Sequence, residues 1–309
     1  MNRKDDTMTA SDGKKIALSR WNPDGEKPLR GVIQIAHGKG EHRKRYDEFA
    51  RFLAERGFLV TANDHRGHGD TIESPGEKGS FPAHEGWSRV VHDLIELKNS
   101  LQVEFPGVPF FLFGHSMGSF LMRNVILEDS NGVTGVILSG TAFSQGLLGR
   151  LGMIMSNREI RKNGPDAPSK VLENMAFGPY NKPFRPNRTA FDWLSRDEAV
   201  VDAYVADPLC GFDCSGVFFR ELLKGLTVIC DQYRVNLLPP ELPIYLFSGA
   251  LDPVGGFTKA VEKTRAQYQK AGIKDLTQKF YPEGRHEMLN ELNREEVYAD
   301  VLAWIEGRL

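Results

Sequence analysis

The sequence has few cysteines, almost no net charge and no long apolar run. Its 309 residues include three cysteines, Cys210, Cys214 and Cys230, and so sparse and odd a set does not predict a disulfide framework. The chain carries 39 Lys and Arg against 41 Asp and Glu, a net charge of −2. No basic excess is therefore available to attract nucleic acid or an anionic membrane. The longest dense apolar stretch, 108–113, is far shorter than the ~20 residues of a membrane span.

These shortages also bear on metals and on location. Cys210 and Cys214 are close in the sequence, but no neighbouring Cys or His completes a zinc site, so we expect no metal and no other cofactor. The N-terminal residues are polar and run into no apolar segment of the signal-peptide type. We expect a reduced, cytoplasmic protein with at most peripheral and transient membrane contact, and the sequence leaves the oligomeric state open.

Short apolar runs alternate with longer amphipathic segments toward both ends of the chain. The predicted strands are brief and rich in branched or aromatic residues: 31–36, 58–62, 109–113, 133–138 and 243–247. The predicted helices are 46–56, 87–105, 116–128, 258–271 and 291–308. Strands buried on both faces that alternate with helices are typical of a mostly parallel sheet flanked by helices, so the predicted fold class is α/β. The first thirty residues, with 15–21 as the clearest strand, can add an antiparallel hairpin at one edge.

This alternation stops between about residues 142 and 238. The stretch contains several Gly-Pro and similar dipeptides and helical patches, but no convincing buried strand. Strands resume only at 243. We therefore predict one core made of residues 1–141 and 239–309, interrupted by a helical cap insertion at residues 142–238.

The segment 114–118 reads Gly-His-Ser-Met-Gly and fits the pattern G-x-S-x-G. The pattern alone is weak, but here it lies between a predicted strand and a predicted helix. A sharp strand-to-helix turn would hold Ser116 Oγ above the sheet, near a helix N-terminus that favours negative charge. Ser116 is therefore the predicted nucleophile, and the alternative is a glycine-rich turn with an inert serine.

A serine hydroxyl becomes a good nucleophile only when a base accepts its proton. In proteins with this strand-to-helix serine turn, the acid and then the histidine follow the serine along the chain. His286 is the one histidine after Ser116, so it is the predicted base. Asp252 lies in the loop after the last predicted strand and is the predicted acid, which would orient the imidazole and stabilise its cation. Asp231 and Asp275 remain alternative acids.

Two backbone N–H groups should bind the oxyanion, and we expect them from Lys39, in the glycine-rich loop after the first parallel strand, and from Met117. His37 and His42 flank that loop, and we favour a buried supporting role for them over a catalytic one. The segment 64–70 contains His-x-x-His between acidic residues, and its position after a strand favours a packed turn over a metal site.

The motifs, taken together, resemble those of the monoacylglycerol lipase and lysophospholipase group of the α/β-hydrolase superfamily. They are His-Gly-Lys-Gly-Glu-His at 37–42, Asp-His-Arg-Gly-His-Gly at 64–69 and the serine segment at 114–118, with 193–197 and 207–210 similar to bacterial members. The resemblance runs from about Lys15 to Leu309. It implies the α/β-hydrolase fold, with the acid at Asp252 and the base at His286.

Two residues depart from the pattern of that group. Lys39 stands where better-known lipases of the group have a small residue, which places a flexible cation near the mouth of the site, its side chain directed away from the oxyanion. Ser119 replaces a glycine that often closes the serine turn, and we expect the helix to tolerate it.

The predicted cap has two apolar helical stripes, and the first of them suggests how a substrate binds. The stripes are Leu147, Leu148, Leu151, Ile154 and Met155, and Phe218, Phe219, Leu222, Leu223 and Leu226. A small, proline-broken cap cannot easily use both for its own packing, so we expect an apolar groove above the nucleophile. The residues expected to line it are Leu147, Leu148, Leu151 and Met155.

The function that fits these features is a serine hydrolase acting on a small-molecule ester of a single acyl chain, of monoacylglycerol or lysophospholipid type. The acyl group would pass through an ester on Ser116, and no nucleic acid would be involved. One alternative is a proline-releasing aminopeptidase on the same fold, which would need cap acids such as Asp197, Glu198 or Asp202 to bind an amine. Another is a non-catalytic binding protein.

Overall fold

A twisted sheet of eight strands forms the centre of the protein, whose computed structural model describes residues 3–25, 28–143 and 146–309. The strands are β1 (Arg3–Thr9), β2 (Lys15–Trp21), β3 (Gly31–Ala36), β4 (Phe58–Asn63), β5 (Phe110–His115), β6 (Gly135–Ser139), β7 (Ile244–Gly249) and β8 (Leu276–Tyr281). Their order across the sheet is β1-β2-β4-β3-β5-β6-β7-β8. The pairs β1–β2 and β2–β4 are antiparallel, and all the other neighbours are parallel. The mostly parallel sheet and the N-terminal hairpin confirm the predicted fold class.

The sequence prediction missed β8, although it found the five buried parallel strands to within two residues at each end. β8 has the sequence Leu-Thr-Gln-Lys-Phe-Tyr and is mostly half-buried, because it lies at the edge of the sheet. An edge strand does not need the continuous apolar run that identifies strands buried on both faces.

Helices cover both faces of the sheet. They are α1 (Asp47–Ala54), α2 (Gly86–Glu104), α3 (Met117–Glu128), α4 (Leu147–Asn163), α5 (Lys170–Phe177), α6 (Glu198–Ala206), α7 (Gly216–Ile229), α8 (Gln232–Val235), α9 (Lys259–Lys270) and α10 (Arg294–Glu306). Short 3₁₀ turns lie at Arg43–Tyr46, Gly69–Thr71, Pro75–Glu77, Lys182–Phe184 and Met288–Asn290. None of the helices in the described part of the chain combines the length and the apolar character that a membrane crossing requires.

The hydrophobic core has one layer on each face of the sheet. Along β5, Phe111 and Phe113 point to the layer that α1 and α10 cover, whereas Phe110 and Leu112 point to the layer that contains α2, α3 and α9. Successive side chains of a strand face opposite ways, so an uninterrupted apolar strand supplies both layers.

The segment that joins β6 to β7 carries α4 to α8 and, among its described residues, adds no strand to the sheet. We call residues 146–238 of this segment the cap; the predicted limits of 142 and 238 stay a prediction. Helix α7 packs against α3 and α4, and its Phe218, Phe219 and Leu226 belong to the large core layer. A smaller apolar cluster of the cap consists of Trp193, Leu194, Tyr204 and Cys210.

The carboxyl ends of the parallel strands bring the predicted site residues together. Ser116 follows β5, Asp252 follows β7, His286 follows β8, and the loop containing Lys39 follows β3. These strand ends meet at one edge of the sheet, as is usual for sites in α/β proteins, and the cap lies over the same edge.

Candidate active site

Ser116 forms a sharp turn between β5 and α3. Its φ of 51° and ψ of −120° lie where a residue with a side chain is strained. A Cβ at Gly118 would collide with the backbone O of Ala36, so a glycine there lets α3 pass directly beside β3. The turn holds Ser116 at the end of a buried strand and at the N-terminus of a helix, where developing negative charge is favoured.

Ser119 fits into this turn without disturbing it. Its Oγ donates a hydrogen bond of 2.6 Å to the carbonyl O of Ser116, and its backbone N–H donates to the same oxygen at 2.9 Å. The Phe120 N–H donates there at 3.3 Å, so the hydroxyl is a third donor to a carbonyl at the start of the helix.

His286 and Asp252 form a buried pair beside this turn. The two atoms His286 Nδ1 and Asp252 Oδ1 are 3.0 Å apart, and the exposed fractions of the residues are 2% and 0%. Asp252 also accepts hydrogen bonds from Ser248 Oγ at 3.1 Å and from the Val254 N–H at 2.8 Å. With Nδ1 bound to the carboxylate, His286 Nε2 is the ring atom left for chemistry.

The two alternative acids lie elsewhere. Asp231 caps the N-terminus of α8 by accepting from the Tyr233 N–H, and Asp275 pairs with Arg308 near the far end of the sheet. Of the three candidates, Asp252 is the one that contacts His286 in the described structure.

The electrostatics of the pair suit a general base. Burial by itself would lower the pKa of His286, but the Asp252 carboxylate raises that pKa above its usual value. Burial would raise the pKa of Asp252, and the neighbouring imidazole outweighs it and lowers that pKa. The carboxylate therefore stays ionised, and the imidazole binds a proton more readily than a free histidine does.

Sequence reasoning missed two rings that enclose the His286 imidazole. The ring centroid of His115 is 4.7 Å from that of His286, and the ring centroid of Trp193 is 5.2 Å away. Burial lowers the pKa of His115 to about 3, so this ring is neutral. His115 is part of the serine motif, so its closeness to the site could have been expected. Trp193 belongs to the cap, and nothing in the neighbouring sequence indicates that it contacts His286.

One predicted oxyanion donor, Lys39, lies on the loop that passes Ser116, and the other, Met117, is the first residue of α3. A Cβ at Gly38 would lie 3.2 Å from Ser116 Cβ, which shows how closely this loop passes the serine. Gly38 N–H donates to Glu41 Oε1 at 2.6 Å. The N–H groups of Lys39 and Met117 donate no hydrogen bond to any other described residue, so both remain available to a ligand.

A buried ionic network that the sequence did not reveal links this loop to the base. Arg45 binds both carboxylate oxygens of Glu287 at 2.7 Å and Oε2 of Glu41 at 2.6 Å. Burial would raise the pKa of Glu287, but Arg45 lowers it to about 2. Since Glu41 holds the Gly38 N–H and Glu287 follows His286, the network fixes the oxyanion loop relative to the base.

The cavity above Ser116 has two chambers. The polar chamber, of about 310 Å³, is lined by Gly38, Lys39, Glu41, His115, Ser116, Glu173, Asn174, Phe177, Gly178, Asn181, Ala190, Phe191, Trp193, Leu194, Tyr204, Gly211, Asp213, His286 and Glu287. The apolar chamber, of about 160 Å³, is lined by Lys39, Ser116, Met117, Phe120, Ala142, Leu148, Gly149, Leu151, Gly152, Ser156, Leu172, Met175, Ala176, Phe177, Tyr180, Phe219, Leu222, Leu223, Leu226 and Val254. Ser116, Lys39 and Phe177 line both chambers, so the chambers meet at the serine.

Two of the four predicted groove residues, Leu148 and Leu151, line the apolar chamber. Leu147 is 80% exposed and lies outside the described lining. Met155 also lies outside it and packs against the large core layer. The apolar stripe of α4 is two residues wide and covers an arc of the helix too broad to face one cavity. Leu147 and Met155, at the two sides of this arc, therefore lie outside the chamber.

Lys39 is held in place, in contrast to the flexible cation expected from the sequence. Its Nζ is 2.6 Å from Glu173 Oε1 and donates to the Phe212 carbonyl at 3.1 Å. Nζ also lies 4.8 Å from the centroid of the Phe177 ring. These partners all belong to the cap, and the local sequence around Lys39 could not reveal them.

The histidine-rich segments pack against each other. The ring centroids of His37 and His65 are 4.0 Å apart, and the His65 N–H donates to His37 Nε2 at 3.1 Å. Burial lowers the pKa of His65 to about 3 and that of His68 to about 4, so both are neutral. Asp64 accepts from the N–H groups of Arg43 and Asp70, which closes the 64–70 segment into a turn.

One side-chain group among the described residues has the composition of a metal site. Possible ligand atoms of His42, Asp207 and Cys210 lie within 4.8 Å of one another. His42 completes this group from far along the chain, which the sequence analysis did not anticipate. His42 Nε2 is 2.9 Å from Asp207 Oδ2, and this hydrogen bond joins the oxyanion loop to the cap.

Comparisons with known proteins agree with this architecture. Residues 27–293 match the model of the family described as serine aminopeptidase, S33. The chain is 28% identical to a monoacylglycerol lipase of Mycolicibacterium smegmatis over 99% of this chain and 98% of that protein. It is 28% identical to human monoglyceride lipase, over 97% and 90% of the two chains. A carboxyl esterase from Bacillus coagulans, solved with glycerol, superposes with a TM-score of 0.90 at 27% identity over 100% and 99% of the chains. These matches confirm the fold and the resemblance.

Proposed function

Since the chain belongs to the serine aminopeptidase, S33 family and is a carboxylic ester hydrolase, we propose that it cleaves esters of a single acyl chain through an acyl-enzyme on Ser116. The favoured substrate is a monoacylglycerol, as the names of its relatives suggest. The observation that carries this proposal is the meeting of an apolar and a polar chamber at Ser116. An ester with one alkyl chain and one polar alcohol matches that division.

In the proposed reaction, Ser116 Oγ attacks the ester carbonyl carbon while His286 Nε2 takes the hydroxyl proton. Asp252, bound to Nδ1, stabilises the imidazolium. The N–H groups of Lys39 and Met117 donate to the oxyanion of the tetrahedral intermediate. The bond to the alcohol oxygen then breaks, and His286 returns the proton to that oxygen. A water molecule repeats the attack on the acyl-enzyme and releases the fatty acid.

The apolar chamber would bind the acyl chain. Its walls come from α4, α5 and α7, and transfer of an alkyl chain into such a site contributes about 0.8 kcal/mol for each CH₂ buried. Medium and long acyl chains should therefore be cleaved with a higher kcat/KM than acetyl.

The polar chamber favours a neutral alcohol over a phosphate ester. Its lining includes four acidic residues, Glu41, Glu173, Asp213 and Glu287. Two cations balance them in part, Lys39 in the lining and Arg45 behind it. The remaining negative charge would repel an anionic head group, so we favour the monoacylglycerol over the lysophospholipid.

Asp197, Glu198 and Asp202 are the cap acids that the sequence offered for binding the substrate amine of an aminopeptidase, and they lie away from the cavity at Ser116. Glu198 and Asp202 pair with Arg188, and Asp197 pairs with Arg294. Neither chamber has any of these three carboxylates in its described lining.

Two measurements test the proposal. A fluorophosphonate probe should label the wild-type protein and leave Ser116→Ala unlabelled, and an equal label on both would overturn the acyl-enzyme. A chain-length series of p-nitrophenyl esters should be run beside aminoacyl-naphthylamides and a lysophospholipid. Preference for medium or long acyl esters supports the proposal, whereas faster cleavage of the naphthylamides would indicate the aminopeptidase.

A further inference from the structure

Lys39 and Glu173 lie where the polar chamber meets the catalytic serine. Lys39 lines both chambers together with Ser116, whereas Glu173 lines the polar chamber. The side chains are nearly buried, with exposed fractions of 14% and 12%. An alcohol held in the polar chamber next to Ser116 would therefore lie beside this pair.

The hydrogen bonds of the pair leave one donor and one acceptor unused. An ammonium group has three N–H donors, and Lys39 Nζ uses two, toward Glu173 Oε1 and the Phe212 carbonyl. Glu173 Oε1 also accepts from the Cys214 N–H at 2.8 Å. The Cys214 thiol lies within hydrogen-bond reach of the Glu173 carboxylate, and no described N–H or hydroxyl group donates to Glu173 Oε2.

A donor beside an acceptor is the complement of a hydroxyl group, which can donate and accept at once. We infer that Lys39 and Glu173 form a specificity-determining pair that binds hydroxyl groups of a polyol leaving alcohol. The inference rests on the proposed function and extends it to the alcohol side of the substrate. A hydroxyl would accept from Lys39 Nζ and donate to Glu173 Oε2, next to the scissile bond.

The charge state of the pair agrees with this role. Burial by itself would lower the pKa of Lys39, but the neighbouring Glu173 carboxylate raises it above its usual value. The lysine is thus charged at neutral pH, and its hydrogen bonds are of the stronger, charge-assisted kind. Because the pair is neutral as a whole, it suits an uncharged polyol.

A purely structural role would be to tie α5 of the cap to the oxyanion loop. That tie would affect all esters alike, since it acts through the position of the cap. Replacing both partners of a buried ion pair with apolar residues often leaves stability unchanged. A double variant of Lys39 and Glu173 can therefore stay folded, and its activity on different esters then separates a binding role from a structural one.

The test compares two esters that differ only in the hydroxyl groups of the alcohol, 1-decanoylglycerol and propyl decanoate. In Lys39→Met, which keeps the backbone N–H, kcat/KM for the glycerol ester should fall by about tenfold or more, as for loss of a hydrogen bond to a charged group. For the propyl ester it should change by less than about threefold. Glu173→Gln should shift the ratio in the same direction.

Lys98→Met is the matched control. Lys98 is 1% exposed and pairs with Asp129 at 2.9 Å, but it belongs to α2 and lies outside the described lining of both chambers. Its loss should leave the ratio of the two esters unchanged. Thermal unfolding of every variant checks that it is folded. If the charge left unpaired in a single variant unfolds the protein, the double variant Lys39→Met, Glu173→Leu replaces it in the same comparison of the two esters.

The outcomes separate this inference from the proposed function. Equal losses for both esters in the folded Lys39 and Glu173 variants, or an unchanged ratio, would overturn the specificity role. A wild-type protein that cleaves neither decanoyl ester would overturn the proposed function itself.

Discussion

The loops that carry the predicted triad and helix α4 of the cap border the same cavity but are held in opposite ways. Asp252 and His286 are 0% and 2% exposed, and hydrogen bonds fix them from several sides. On α4, Leu148 and Leu151 are 68% and 47% exposed, although both line the apolar chamber. The residues proposed for bond breaking are rigidly placed, and those proposed for chain binding lie partly in water.

The difference follows from what each region must do. Proton transfer depends on distances and angles, so its groups have to be preorganised by packing and hydrogen bonds. Binding of an alkyl chain depends on apolar area, which is non-directional. An exposed apolar helix is therefore sufficient to bind an alkyl chain, because the chain is stabilised when it covers the apolar surface.

Helix α7 sharpens this contrast because its apolar stripe begins with the same i, i+1, i+4 spacing as that of α4. Phe218 and Phe219 of α7 are 0% and 5% exposed and pack into the core. Leu147 and Leu148 of α4, at corresponding positions of the pattern, are 80% and 68% exposed. A similar pattern is thus packed into the core in one helix and largely open to water in the other, although α7 also supplies wall residues of the apolar chamber.

The largest expected effect comes from breaking the rigid region. His286→Ala should lower kcat by about a thousandfold or more on every ester, because it removes the base, and Asp252→Asn should be slow as well because the wrong imidazole tautomer is favoured. Initial rates with acetyl and decanoyl p-nitrophenyl esters measure this. Retention of more than about a tenth of the wild-type kcat in His286→Ala would contradict the assignment of the base.

Next in size is the stability difference between the two stripes. Phe218→Ala should lower the free energy of unfolding by about 3–5 kcal/mol, because it empties a buried site against Phe81. Leu148→Ala should change it by less than about 0.5 kcal/mol, since that side chain is mostly exposed. Urea unfolding monitored by circular dichroism compares them, and equal losses would show that α4 and α7 do not differ in this way.

The third prediction concerns chain-length selection by α4. Replacing Leu148 and Leu151 with Ser should lower kcat/KM for a decanoyl ester by about tenfold while changing the acetyl ester much less, because only the long chain covers these side chains. Leu147→Ser is the control, as it lies on the same helix but outside the described lining. Parallel losses on the two esters would mean that the stripe is structural only.

The smallest expected effect is a displaced pH profile. His286 must be neutral to accept the Ser116 proton, and the Asp252 carboxylate raises the pKa of His286 above its usual value of 6.5. The kcat/KM should therefore fall about tenfold per pH unit on the acid side, with a midpoint above 6.5. Measurement with a soluble ester tests the sign, and a midpoint clearly below 6.5 would contradict it.

Local patterns in the sequence determined the fold class and the three candidate catalytic residues. Buried parallel strands need continuous apolar runs, and the serine turn needs glycines at fixed positions, so both are written in a few neighbouring residues. His286 could be chosen because no other histidine follows Ser116. Asp252 could be chosen because the acid has to follow a buried strand.

Only the tertiary structure decided which partners these residues meet. A helical stripe defines an apolar face but not what covers it, so the sequence could not distinguish α7, which joins the core, from α4, which remains exposed. The ion pair of Lys39 with Glu173 and the hydrogen bond of His42 with Asp207 join residues far apart along the chain. Such contacts depend on how the cap is placed over the sheet, and no spacing within the sequence encodes that placement.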